Sequence, residues 1–252
     1  DEMQGNDSAM NRASASQALI ADALIRTAEF ELCGTQAVCD PLGALYLPSS
    51  QTLIVSDLHL EKGAAFARRG LLLPPYDTSQ TLKLLNAVMQ RYQPVNVISL
   101  GDSFHDRDGA AGLTRECRDQ LRTLVANRNW FWITGNHDPD RPHGLEGDCV
   151  RELYLDGLCF RHEPLGNGSH EPGEVAGHLH PSARVVRRGK GVRRPCFATD
   201  GTRLIMPAFG VTTGGLNLRH PAFKGLFDQQ QLVAHLLGRD RIYSVAFNRL
   251  TA

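Results

Sequence analysis

The chain has 252 residues, 42 % of them hydrophobic, and its 27 basic side chains are balanced by 27 acidic ones. That length suits one large or two small domains, and the apolar share can build a core without staples. Zero formal charge excludes a protein that coats nucleic acid by charge alone, though not one with a local basic patch. Six cysteines (Cys33, Cys39, Cys117, Cys149, Cys159 and Cys196) include no C-x-x-C pair. This excludes zinc-finger spacing and a compact disulfide framework, and reads as reduced thiols in a cytoplasmic protein. No apolar run reaches the roughly 18 residues of a membrane span. The polar opening DEMQGNDSAMNRASASQ lacks the apolar core of a secretory signal. Residues 1–18 are expected to be a disordered tail or tag remnant, and 19–252 a single domain.

Taken in chain order, Ala18–Ala28 reads as a short helix. Phe30–Cys33, Ala37–Cys39 and Ala44–Leu47 read as short strands of a small antiparallel sheet, separated by Gly34, Pro41–Gly43 and Pro48. Thr52–Val55 is a continuous apolar run, as expected of a strand buried on both faces. Thr78–Arg91 has Leu82, Leu85, Val88 and Met89 at helical spacing. Val95–Leu100 is a second buried strand, Cys117–Ala126 a second helix and Asn129–Thr134 a third strand. This alternation is the rhythm of a parallel sheet. Beyond residue 150 the pieces shorten: Glu152–Leu155, Leu158–Arg161, Glu174–Gly177, Ala183–Val186, Cys196–Thr199 and Arg203–Met206. They predict a mainly antiparallel second sheet, followed by a last helix over Asp228–Leu237 and a strand over Arg241–Phe247.

The predicted strand ends carry the chemistry. TLIV leads into Ser56-Asp57-Leu58-His59, VISL into Gly101-Asp102-Ser103-Phe104-His105, and WFWIT into Gly135-Asn136-His137-Asp138. LCFR delivers His162-Glu163, and EVA delivers Gly177-His178-Leu179-His180. A single D-x-H or H-x-H reports no more than a polar loop. Five such pieces in succession, each at a strand end, match the place where α/β sheets bind ligands. Oxygen and imidazole donors together suit first-row divalent cations. In D-x-H and H-x-H, alternation on an extended backbone would point both donors the same way. Gly101, Gly135 and Gly177 each precede a donor, where a tight turn is expected.

The order D-x-H, G-D, G-N-H-D, H, G-H-x-H resembles the calcineurin-like metallophosphoesterases over about Thr52–Asn217. The resemblance implies an α/β fold of two facing mixed β-sheets flanked by helices, and two divalent cations. Manganese is the metal it favours, with iron, zinc or magnesium also compatible. It assigns Asp57, His59 and His180 to one cation, Asn136, His162 and His178 to the other, and Asp102 to both. His137 would be the catalytic histidine rather than a ligand. Many phosphatases of the superfamily have G-D-x-x-D, whereas here His105 occupies the last position. That is similar to the nuclease branch, in which this histidine also works on the phosphodiester. SDLHLEKGAAFARRG, GDSFHD, HEP, GHLHP and PAFGVTTGGLN are similar to the bacterial ligase-associated DNA damage response phosphoesterases, the PdeM-like group. This narrower match implies a phosphodiesterase or endonuclease acting on DNA in repair, linked to a DNA ligase and helicase set.

Around this centre several readings stay open. Asp138 would orient His137 or cap the following turn. Arg68 and Arg69 after the first motif, with Arg187, Arg188, Lys190, Arg193 and Arg194 in a hairpin, would hold a nucleic-acid backbone or form a solvated tip. Phe209 and the TTGG glycines would wall the site or build a tight turn. Glu61-Lys62-Gly63 places charge near the substrate without a mechanism. Phe223, Leu226 and Phe227 offer an apolar surface for an oligomer. The rival functions are a phosphomonoesterase or small-nucleotide phosphatase with the same metals, and a non-catalytic scaffold, which the complete ligand set disfavours.

Overall fold

A computed structural model describes residues 25–68, 70, 76–105, 109–138, 142–166, 171–187 and 189–251. The expected tail, Arg69, Arg188 and the side chains of Arg68 and Arg187 lie outside the described residues. So does most of the helix expected over Ala18–Ala28. At its described end the chain is not helical: Arg26 bridges to Arg241, and Ala28 opens a strand.

In chain order the elements are β1 (Ala28–Leu32), β2 (Thr35–Cys39), β3 (Leu45–Leu47), β4 (Thr52–Val55), α1 (Lys62–Arg68), α2 (Asp77–Tyr92), β5 (Asn96–Leu100), α3 (Gly109–Gly112), α4 (Arg115–Val125), β6 (Asn129–Ile133) and β7 (Asp148–Val150). These seven strands form one sheet in sequential order. The three opening strands pair antiparallel and continue through β3 into β4, so they extend the main sheet rather than standing apart. From β4 to β7 the pairing is parallel. Helix α2 stops where Gln93 turns left-handed (φ 45°) and sends its N–H back to Met89 O. Pro94 cannot continue a helix.

The second half supplies β8 (Glu152–Leu155), β9 (Leu158–Arg161), β10 (Glu174–Ala176), β11 (Pro181–Arg187), β12 (Lys190–Thr199), β13 (Arg203–Ile205), β14 (Leu216–Asn217), β15 (Val233–Leu237) and β16 (Ile242–Ala246). They form a nine-stranded mixed sheet. Antiparallel pairs prevail, but β9, β10 and β13 run parallel, and two of these strands carry candidate ligands. The helix expected over Asp228–Leu237 is absent: Val233–Leu237 is a strand between β12 and β16. Ala234 and Leu236 enter the cluster on the sheet's outer face, while His235 stacks on Phe30 from the other side. Burial on alternate sides overrides the helical propensity of DQQQLVAHLL.

Two sheets face each other across a layer in which Ile54, Ile98, Leu100 and Ile133 meet Phe160, Val175, Phe197 and Leu204. On the far side of the first sheet, Leu53, Val55, Val97, Trp130 and Trp132 pack on Leu82, Leu85, Leu121 and Leu124 of α2 and α4. The run TLIV is therefore apolar throughout because its residues alternate between two cores. Truncating Leu82 or Leu85, both fully buried, would cost about 2–5 kcal/mol. The outer face of the second sheet is covered by irregular segments rather than helices. Of the three residues offered for an oligomer surface, Phe223 and Leu226 are buried in that cover and Phe227 is half-buried against it. No described helix is long and apolar enough to cross a membrane.

Candidate metal centre

Strands β4, β5 and β6 run parallel, as do β9 and β10, so their carboxyl ends deliver five loops to one edge of the two sheets. The donors do not sit on extended backbone, as the alternation argument expected. Asp57 (φ 52°), His59 (45°), Asp102 (45°), His178 (65°) and His180 (45°) are all left-handed. Such conformations cost about 1–3 kcal/mol each and persist only where the surroundings impose them. Here the amides of Asp57 and His59 donate to Gly101 O and Asp102 O (3.3 and 2.9 Å). From the other side, Phe209 and Gly210 donate to Ser56 O and Asp57 O (2.8 and 3.2 Å). The glycines before the donors also do more than turn. A Cβ on Gly177 would stand 2.0 Å from Ser56 Oγ, and one on Gly135 2.2 Å from the Asp102 amide nitrogen.

Two clusters result. Asp57, His59 and His180 form one, and Asp102, His162 and His178 the other, each with its donor atoms within 4.8 Å of one another. They adjoin: His162 Nδ1 is 3.9 Å from Asp57 Oδ1, and its Nε2 is 3.4 Å from Asp102 Oδ2. Asp57 Oδ1 lies 3.0 Å from His180 Nε2, yet neither atom has an aligned hydrogen-bond partner among the described residues, although both are buried. Buried polar atoms left unpaired at such proximity, lone pairs converging, fit a cation bound between them. Asn136 Nδ2 donates to Glu163 Oε1 at 2.6 Å, which leaves its amide oxygen as the atom that could face a cation.

The charges are mutually set. Burial alone would raise the Asp57 carboxyl, but His180, His162 and Ser56 hold it below the ordinary carboxylate range. Asp102 is likewise buried and is held low by His162 and by the His137 amide, which donates to Oδ1 at 2.9 Å. Against its own burial, His162 is raised to about 9 by Asp102 and Asp57. His59 is pushed down to about 4, burial outweighing both aspartates. Burial and the neighbouring His162 also lower His178. Two low carboxylates that favour positive charge beside them are suited to hold cations.

Beside the clusters, the rings of His105 and His137 stack with centroids 5.2 Å apart, and His59 meets both edge-on. The His137 side chain is 47 % exposed, against 5 % for His162, so a substrate can reach it. These histidines share a cleft with Lys62, His178, His180 and Thr213–Leu216. The profile of calcineurin-like phosphoesterases matches residues 50–200, more than half of the chain. The chain belongs to the calcineurin-like phosphoesterase family. It is similar to the nuclease MPE of Pseudomonas putida, at 28 % identity over 87 % of this chain and 100 % of that one, with a TM-score of 0.66. A phosphoesterase of E. coli, Yfce, is more remote: 16 % identity over 78 % of this chain and 99 % of the other, TM-score 0.38. No curated protein sequence matches the chain.

Within this phosphoesterase, Asp138 does not orient His137. Its Oδ2 accepts the amides of Ser103 and Phe104 (2.7 and 3.2 Å), and its Oδ1 accepts that of Gly135 (3.2 Å). It pins the loop carrying Asp102 to the loop carrying Asn136. Burial, with some help from Asp102, raises its carboxyl to about 7. Phe209 is a core residue, 3 % exposed, and the cleft wall falls to Thr213, Gly214 and Gly215. The basic hairpin is real: β12 reaches back to Lys190, longer than the predicted Cys196–Thr199, because its basic outer half carries no apolar signal. Lys190 and Arg194 are exposed. Arg193 instead donates to Ser182 Oγ (2.8 Å) and to Gly215 O, bracing the cleft wall. Sequence reasoning missed Glu163, which holds Asn136 and lies 3.9 Å from His178 Nε2. Its only signal was its place directly after His162.

Proposed function

We propose that this phosphoesterase is a dinuclear phosphodiesterase acting on DNA, most active with manganese. The observation that carries the reading is the pair of adjoining ligand clusters beside the stacked His105–His137 pair, of which His137 is half-exposed. Asp57, His59 and His180 would hold one cation, Asn136, His162 and His178 the other, and Asp102 both. When bound, the cations supply Lewis-acid activation of water and neutralise phosphate charge. The chain's own residues then do the rest. His137, reachable from the cleft and fixed through its amide to Asp102, protonates the departing ester oxygen. Stacked beside it, His105 adds no negative charge and approaches the second ester oxygen of a diester. The 28 % identity to a nuclease over nearly the whole chain supports diester chemistry. A place in DNA repair beside a ligase and helicase comes from the PdeM-like resemblance alone, and a cytoplasmic setting from cysteines that form no disulfide.

The test is hydrolysis of a bis-aryl phosphate against the matching aryl monophosphate. Activity should vanish on chelation, return with Mn²⁺ and favour the diester, and His105→Asp should shift the ratio toward the monoester. A wild-type preference for the monoester, or a ratio indifferent to His105→Asp, would replace the nuclease reading with a general phosphatase. Activity that survives exhaustive chelation would remove the metal centre from the account.

A further inference from the structure

We propose that Lys62 and the loop Thr213–Gly215 form a subsite for a second phosphate of the substrate, next along the strand from the one being cleaved; this rests on the nuclease reading above. The loop and Lys62 line the same cleft as His59, His137, His178 and His180, and no carboxylate is among the described residues that line it. Lys62 Nζ donates to Thr212 O at 3.3 Å, which places an ammonium against the loop. Arg193 grips its other end through Gly215 O.

The loop is firmly seated. Thr213 N donates to Gly210 O (3.1 Å) and Leu216 N to the carbonyl of the candidate ligand His180 (2.9 Å). A Cβ on Gly215 would stand 2.5 Å from that carbonyl, so only glycine allows the approach. Between these anchors, the amides of Gly214 and Gly215 donate to no acceptor among the described residues, and both residues are exposed. Two consecutive amides without an acceptor among the described residues, in the same cleft as an ammonium, offer donors to an anion. The cations would neutralise the phosphate being cleaved, which as a diester carries a single charge. Lys62 and the two amides are not needed for it. On a polynucleotide, the next anion along the strand is the neighbouring phosphate.

Two measurements test this. The first is binding of a short fluorescent oligothymidylate to chelated protein, where nothing is cleaved, as a function of salt. Lys62→Met should lower the slope of log affinity against log salt by about 0.7, the value for one phosphate contact on a single strand. Lys62→Arg should restore it. The second is hydrolysis by the Mn²⁺-loaded enzyme. Lys62→Met should raise KM for a trinucleotide about tenfold more than for a bis-aryl phosphate, which has no second phosphate. An unchanged slope and unchanged KM ratio would overturn the subsite. Equal losses on both substrates would overturn it too, by placing Lys62 on the phosphate being cleaved. Wild-type protein that hydrolyses the bis-aryl ester but neither binds nor cleaves the oligonucleotide would sink the nuclease reading itself, and the subsite with it.

Discussion

Replacing Asp138 by alanine should unseat the loop that carries Asp102 while leaving the His137 ring without a lost partner. The carboxylate accepts three backbone amides, two of them from Ser103 and Phe104, which are 0 % and 1 % exposed. A buried donor stripped of its acceptor costs about 1–3 kcal/mol. The two buried amides alone therefore cost roughly 2–6 kcal/mol, a large share of the roughly 5–15 kcal/mol that hold a domain together. Asparagine should cost less. Its single carbonyl oxygen can still receive Ser103 and Phe104, leaving only the Gly135 amide opposed by an N–H. Urea unfolding of the metal-free protein should rank wild type above Asp138→Asn, and that above Asp138→Ala. Elemental analysis should show Asp138→Ala losing metal, because Asp102 is no longer presented. If Asp138→Ala unfolded within about 0.5 kcal/mol of wild type and kept its metal, the pinning role would be wrong and an effect on His137 would have to be reconsidered.

Three further outcomes are expected. His137→Ala should lower the rate by roughly 10²–10⁴-fold with metal content unchanged; simultaneous metal loss would make His137 a ligand. Asp102→Ala should deplete both cations, and retention of one at full occupancy would contradict a shared carboxylate. His235 is 6 % exposed, and burial pushes it from its ordinary 6.5 to about 4. The unfolded chain then takes up the proton first, so its contribution is complete above pH 6.5 and lost as pH falls toward 4, by up to about 3 kcal/mol. The stability of wild type relative to His235→Phe should fall over that window, and parallel profiles would refute the assignment.

Much of this protein could be read from the chain because its signals are local. The run TLIV, the periodicity of Leu82, Leu85, Val88 and Met89, and the aspartates and histidines at strand ends each occupy a few consecutive residues, and the structure gathers those donors into two adjoining clusters. What the sequence could not decide were choices fixed by distant partners. Asp57, His59 and His180 look like donors on an extended strand, but the amides of Phe209 and Gly210 and the carbonyls of Gly101 and Asp102 hold the first loop left-handed. Asp138 sits beside His137 in sequence but spends its oxygens on Ser103, Phe104 and Gly135. Val233–Leu237 has a helix-forming composition but is a strand because β12 and β16 supply its hydrogen bonds and cores wait on both of its faces. Residue type alone determined which chemistry the chain can carry, since ligand identity is a property of single side chains. Tertiary structure decided which atoms face the centre, because hydrogen bonds between residues far apart in sequence set the direction of each donor.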